Sequence, residues 1–130
     1  MEIRVKKALL NSLTEFLMDI KLEGRVSRAR MKLIFAMSEA AEELQSDTQF
    51  IRKENKEDSN KAKKEIDELL EEKAVLDLTK YKELIYDLHV ALENIDEKMA
   101  FPQSYLHDEL LNAIEENMKE IGDDKNGKNN

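Results

Sequence analysis

The chain has 130 residues, 38% of them charged and 5% aromatic, with three Gly, one Pro, no Cys and a formal net charge of −8. That length fits one domain around one core, and a composition dominated by Glu, Lys, Leu and Ala argues against a large β-sandwich or barrel. Without Cys there are no disulfides, thiolate zinc sites or cysteine nucleophiles, which suits a reducing compartment.

Charge is segregated along the chain. Residues 1–32 hold eight Lys and Arg against four Asp and Glu, net +4, which leaves −12 for residues 33–130. The longest uninterrupted apolar run, Leu33-Ile34-Phe35-Ala36-Met37, is far short of the ~20 residues a membrane helix needs. Met1-Glu2-Ile3-Arg4 does not open a signal peptide. A soluble protein with no membrane contact is expected.

Glu2-Ile3-Arg4-Val5-Lys6 alternates polar and apolar residues, the period of a half-buried strand, although it could equally be a first helical turn. From Ala8 the period lengthens. Leu9, Leu10, Leu13, Phe16, Leu17 and Ile20 fall on one stripe, which predicts an amphipathic helix to about Leu22, closed by Gly24. Ser27 reads as the N-cap of a second helix running to about Lys56. Its seam is Ile34, Met37, Ala41, Leu44, Thr48 and Ile51, spaced alternately three and four apart.

Residues 52–64 contain almost nothing apolar and cannot be buried in a core. A turn is placed at Glu57 to Asn60, the alternative being one continuous helix that projects into solvent. Ala74-Val75-Leu76-Asp77-Leu78 predicts a second strand, able to pair with Ile3 to Val5 if helices pack on the ribbon. After a Thr79 cap, Tyr81, Leu84, Ile85, Leu88, Ala91, Leu92, Ile95 and Met99 keep a 3.6-residue period over nearly five turns. Phe101-Pro102 breaks that helix. Ser104 then caps a last one, with Leu106, Leu110, Ala113, Ile114, Met118 and Ile121 on its buried stripe and Gly122 at its end. Residues 122–130, Gly, Asp, Lys and Asn only, are expected to form a disordered tail beyond a single helical domain of residues 1–121.

Any general-base or metal chemistry must begin with the two histidines, His89 and His107. His89 and Glu93 are an i, i+4 pair, and His107 with Asp108 and Glu109 opens the last helix. Antiparallel packing would bring these into a two-His carboxylate site, but neither HExxH nor ExxH spacing is present. The plainer reading is two boundary histidines and no metal. The paired acids sit among lysines on helical outer faces, and no glycine-rich phosphate loop or GxSxG is present. The methionines are read as packing. No catalytic residue, cofactor or enzymatic activity is therefore expected.

One stretch stands out as a contact surface, the basic joint of Arg25, Arg28, Arg30 and Lys32. Arg at a helix start can hold phosphate or carboxylate groups bidentately. The other reading is that these cations pair with the chain's own surplus acids, such as those of the last two helices. Direct nucleic-acid binding is disfavoured, because the pI is about 4.9 and the tyrosines lie away from the joint.

The order of these signals resembles a family of small uncharacterised phage and prophage proteins of Gram-positive bacteria, commonly encoded in or beside tail and baseplate genes. The likeness rests on Ile3-Arg4-Val5-Lys6 leading into Leu13-Thr14-Glu15-Phe16-Leu17, then Leu22-Glu23-Gly24-Arg25 with Ser27-Arg28-Ala29-Arg30, and Val75-Leu76-Asp77-Leu78 before two closing helices. It implies a non-enzymatic phage product in the host cytoplasm or the virion, and it carries no site residues over.

The expected fold is mainly α: a bundle of four or five helices with a long helical hairpin and a short two-stranded β ribbon of residues 3–5 and 75–78. The expected function is protein-protein contact, as a tail-region structural or assembly-accessory protein with a phage or host protein partner and self-association as a homo-oligomer. The alternative is a small acidic inhibitor of a host defence or nucleic-acid enzyme, presenting carboxylates where that enzyme expects phosphates.

Overall fold

Period-two alternation at two distant places in the chain produces the ribbon that organises the fold. In the computed structural model, which describes residues 1–95 and 98–128 and side chains as far as Met118, strand β1 (Glu2–Lys6) pairs antiparallel with strand β2 (Lys73–Asp77). Ile3 lies opposite Leu76 and Val5 opposite Ala74. All four point inward, while Glu2, Arg4, Lys6, Lys73, Val75 and Asp77 face out. Leu78 has left the strand, but its amide still donates to the Met1 carbonyl at 2.8 Å.

A 3-10 turn at Lys7–Leu9 leads into helix α1 (Leu10–Asp19), which buries Leu10, Leu13, Phe16 and Leu17. The helix stops short of Leu22, where the sequence placed its end, because Ile20 is extended with ψ 145. Gly24 is not its cap either. With φ of 60, in the left-handed region that glycine enters without steric cost, it stands at the start of helix α2 (Gly24–Glu54). Ser27, expected to be the N-cap, lies inside that helix, and its Oγ accepts a hydrogen bond from Arg30.

Helix α2 is 31 residues long, and only its first half is in the core, through Ala29, Leu33, Ile34 and Met37. The rest of the predicted seam, Ala41, Leu44, Thr48 and Ile51, is half-buried. The chain then turns at residues 55–58 and returns as helix α3 (Ser59–Glu71). The choice between a hairpin and one continuous projecting helix is thus resolved in favour of a hairpin. Asn55 donates its Nδ2 to Ile51 O at 2.9 Å, and Asp58 caps α3 by accepting from the Lys61 amide at 3.0 Å. Both are the short polar residues that favour helix ends over helix interiors.

Helix α4 (Lys82–Glu93) follows a second 3-10 turn at Thr79–Tyr81 and buries Ile85, Leu88, His89 and Leu92. It ends two turns before the periodicity does. Asn94 donates Nδ2 to Val90 O at 3.0 Å, and Ile95 and Met99 pack on the core from the following loop, so they extend the apolar pattern without extending the helix. Thr79 is not a cap. Its amide and hydroxyl both donate to Asp77.

Helix α5 (Gln103–Lys128) passes Gly122, where the sequence placed its end. It lies against β1, α1 and α4, with Leu110 and Ile114 fully buried. The fold is therefore mainly α, a bundle of α1, α2, α4 and α5 closed by one ribbon, with the far end of α2 and all of α3 forming a hairpin at its side.

Candidate functional site

Three of the four joint residues are engaged within the molecule. Arg30, half-buried, donates Nη1 to Ile20 O at 2.6 Å and to Leu17 O at 3.3 Å, and Nη2 to Ser27 Oγ at 2.8 Å. It occupies the carbonyl end of α1, where a cation is favoured by the unsatisfied carbonyls and by the helix dipole. Arg25 Nε lies 2.7 Å from Asp87 Oδ2 on α4, and the Lys32 Nζ sits 4.9 Å from the centre of the Tyr81 ring. Arg28 is exposed and has no ion pair among the described residues. The start of α2 sends these side chains to separate elements, and it leaves one cation, not four, open to an anionic ligand.

The two histidines are not brought together as a pair. His107 Nε2 lies 2.8 Å from Leu92 O, and its ring packs against Phe16 with centroids 6.0 Å apart. His89 is buried on α4. Its Nδ1 is 2.9 Å from Glu93 Oε1 one turn on, and its Nε2 is 3.2 Å from Glu115 Oε1 on α5. The i, i+4 pairing with Glu93 follows from helical spacing. Glu115 was not foreseen, because only the packing of α5 on α4 creates that contact. The one sequence signal for it is its place directly after Ile114, at the edge of the buried stripe.

A third feature is the hairpin tip. Residues 52–64 carry six Lys and Arg against three Asp and Glu. At the tip a groove of about 390 Å³ has Ala62 and Ile66 in its floor and Arg52, Lys56 and Lys63 around it. None of these three cations forms an ion pair among the described residues. Phe50, two residues before Arg52, is 61% exposed. The shaft below is acidic: residues 39–47 contain four Asp and Glu, residues 65–72 contain five, and neither stretch has a Lys or Arg. A lack of apolar residues had marked residues 52–64 only as a segment outside the core. Their cation excess was the missed signal.

No helix of the described residues is long and apolar enough to cross a membrane. No family model matches the chain, and no curated protein or solved structure matches it.

Proposed function

We propose that this protein acts by binding rather than by catalysis, and that its helical hairpin is the element that docks to another protein. The carrying observation is the contrast between the two basic regions. The joint spends its cations on α1, α4 and a tyrosine ring, whereas the tip holds three cations without an ion pair among the described residues around an apolar-floored groove, and an exposed Phe50 lies on the same arm outside that groove. Aromatic and Arg side chains around a desolvatable patch are what interface hot spots are made of, and the charge selects an acidic face on the partner.

The resemblance to phage proteins of the tail and baseplate region supplies the setting. In this reading the protein is a tail-region structural or assembly-accessory component, in the host cytoplasm during assembly or in the virion. A basic tip and an acidic shaft on one hairpin also suit self-association, the tip of one copy lying on the shaft of another. Light scattering coupled to size-exclusion chromatography at low and high salt tests that arrangement.

The test of the main reading is mass spectrometry of purified particles and assembly intermediates from a phage that encodes the protein. Its presence at stoichiometric level supports the tail reading, provided an Arg52→Ser, Lys56→Ser, Lys63→Ser variant is lost from the particles. Absence from both sinks that reading. The acidic shaft favours a second reading, a carboxylate-bearing inhibitor of a host defence or nucleic-acid enzyme. That reading predicts salt-sensitive binding to a basic host protein, abolished by neutralising Glu42, Glu43, Asp67 and Glu68 and unaffected by the tip variant.

A further inference from the structure

His89 sits between two carboxylates, only one of which a neutral ring can serve as donor. A neutral imidazole donates from one nitrogen and presents a lone pair at the other, whereas an ionised carboxylate only accepts. In the neutral tautomer that donates from Nδ1 to Glu93 Oε1 at 2.9 Å, the Nε2 lone pair faces Glu115 Oε1 across 3.2 Å. Two acceptors facing each other make no hydrogen bond and repel. Either a second ring proton or a metal ion bound to both atoms from one side satisfies that contact.

We infer that His89 Nε2 and Glu115 form a binding site for a borderline divalent cation of the zinc class, with Glu93 orienting the ring. Metal–nitrogen and metal–oxygen bonds for zinc run about 2.0–2.2 Å, so two ligands of one ion stand roughly 3.0 Å apart at a right angle and roughly 3.4 Å apart at the tetrahedral angle. The observed 3.2 Å lies between. A carboxylate on the far ring nitrogen, fixing the tautomer and raising the basicity of the ligand, is the usual companion of a metal-bound histidine.

One ligand atom each from His89, Glu93 and Glu115 fall within 4.8 Å of one another, so the two ligands and the orienting carboxylate form one cluster. An imidazole among the ligands favours zinc over magnesium or calcium, which prefer oxygen alone. Burial fixes the ring, since the His89 side chain is 7% exposed. Glu93 and Glu115 are about half exposed, at 52% and 49%, which provides an entry path and room for water in the remaining positions. The ion would join α4 to α5.

Titration of the full chain with zinc alone, in competition with a chromophoric chelator, tests the site, and cobalt substitution reports on the ligands through its visible absorption. One zinc per chain is expected, with a rise in the midpoint of thermal unfolding on binding. His89→Gln and Glu115→Gln should each abolish that binding, Glu93→Gln should weaken it about 10-fold to 100-fold, and His107→Gln should leave it unchanged. Glu115 is half exposed, so Glu115→Gln keeps the test decisive even if His89→Gln fails to fold. Failure to bind one equivalent, or binding that survives Glu115→Gln, overturns the inference and leaves His89 as a buried side chain held between two carboxylates.

Discussion

Arg30 reaches back from the second turn of α2 to hold the carbonyl oxygen of Ile20 at 2.6 Å, closing the end of the preceding helix from the start of the next. Hydrogen bonds from a charged donor contribute about 1.5–3 kcal/mol each, more than neutral ones. Arg30→Ala should therefore lower the urea midpoint by an amount equivalent to about 2 kcal/mol. Arg28→Ala, which removes an exposed cation without an ion pair, should stay within about 0.5 kcal/mol. Equal effects of the two substitutions would contradict a structural role for Arg30.

That contact also explains which parts of the fold the sequence made legible. The ribbon was readable because Ile3, Val5, Ala74 and Leu76 alternate with polar residues, and a period of two can bury one face only as a strand. The stripe of α4 was readable for the same kind of reason. The α1–α2 junction was misread because Gly24 and Ser27 are the residue types that cap helices, yet here a long side chain from the next helix does the work of a C-cap. Local propensity cannot register a partner ten residues away. The α4 boundary failed differently: Ile95 and Met99 are apolar in helical register but pack from a loop, so periodicity reported burial and not backbone conformation. Of the His89 cluster, spacing along one helix revealed Glu93, while Glu115 required the packing of two helices.

Asp77 and Thr79 give an acid-sensitive latch at the end of β2. The hydroxyl and amide of Thr79 donate to the Asp77 carboxylate at 2.6 and 3.1 Å, and these bonds hold its carboxyl below the ordinary 3.8. A depressed folded-state value means the stabilisation is fully present above pH 3.8 and is lost as pH falls through the lower folded value. Thr79→Val removes the hydroxyl donor, the larger cause. The Asp77 titration followed by carbon NMR should then move up toward 3.8, and the acid limb of the stability curve should flatten relative to wild type. An unchanged Asp77 titration would show that the hydroxyl is not responsible.

Asn117 ties the last helix to the first strand. Its Nδ2 donates to Glu2 O at 2.6 Å, while its buried Oδ1 has no hydrogen-bond partner. Asn117→Asp replaces the donor by a second acceptor facing that carbonyl and adds charge at a site 8% exposed. Destabilisation by about 2 kcal/mol or more is expected, from the lost bond and the cost of desolvating an unpaired polar group. Denaturant unfolding measures it, and hydrogen exchange should accelerate first at the amides of β1. A variant as stable as wild type would mean that the contact contributes nothing.

The hairpin should open independently of the bundle. Ala62 is the one buried residue of α3, and α2 buries no side chain after Met37, so the distal arm has few apolar contacts to hold it closed. Regions with sparse burial open at free energies well below global unfolding. Amides of residues 52–64 should thus exchange much faster than those of Leu33 to Met37, under conditions where the whole chain stays folded. Ala62→Glu places a charge between the two helices, and it should raise exchange across the arm while leaving the unfolding free energy of the core within about 1 kcal/mol. Because the proposed docking face lies on that arm, the same substitution should also weaken partner binding. If Ala62→Glu instead unfolds the bundle cooperatively, the hairpin is part of the core and not a separate element placed on its side.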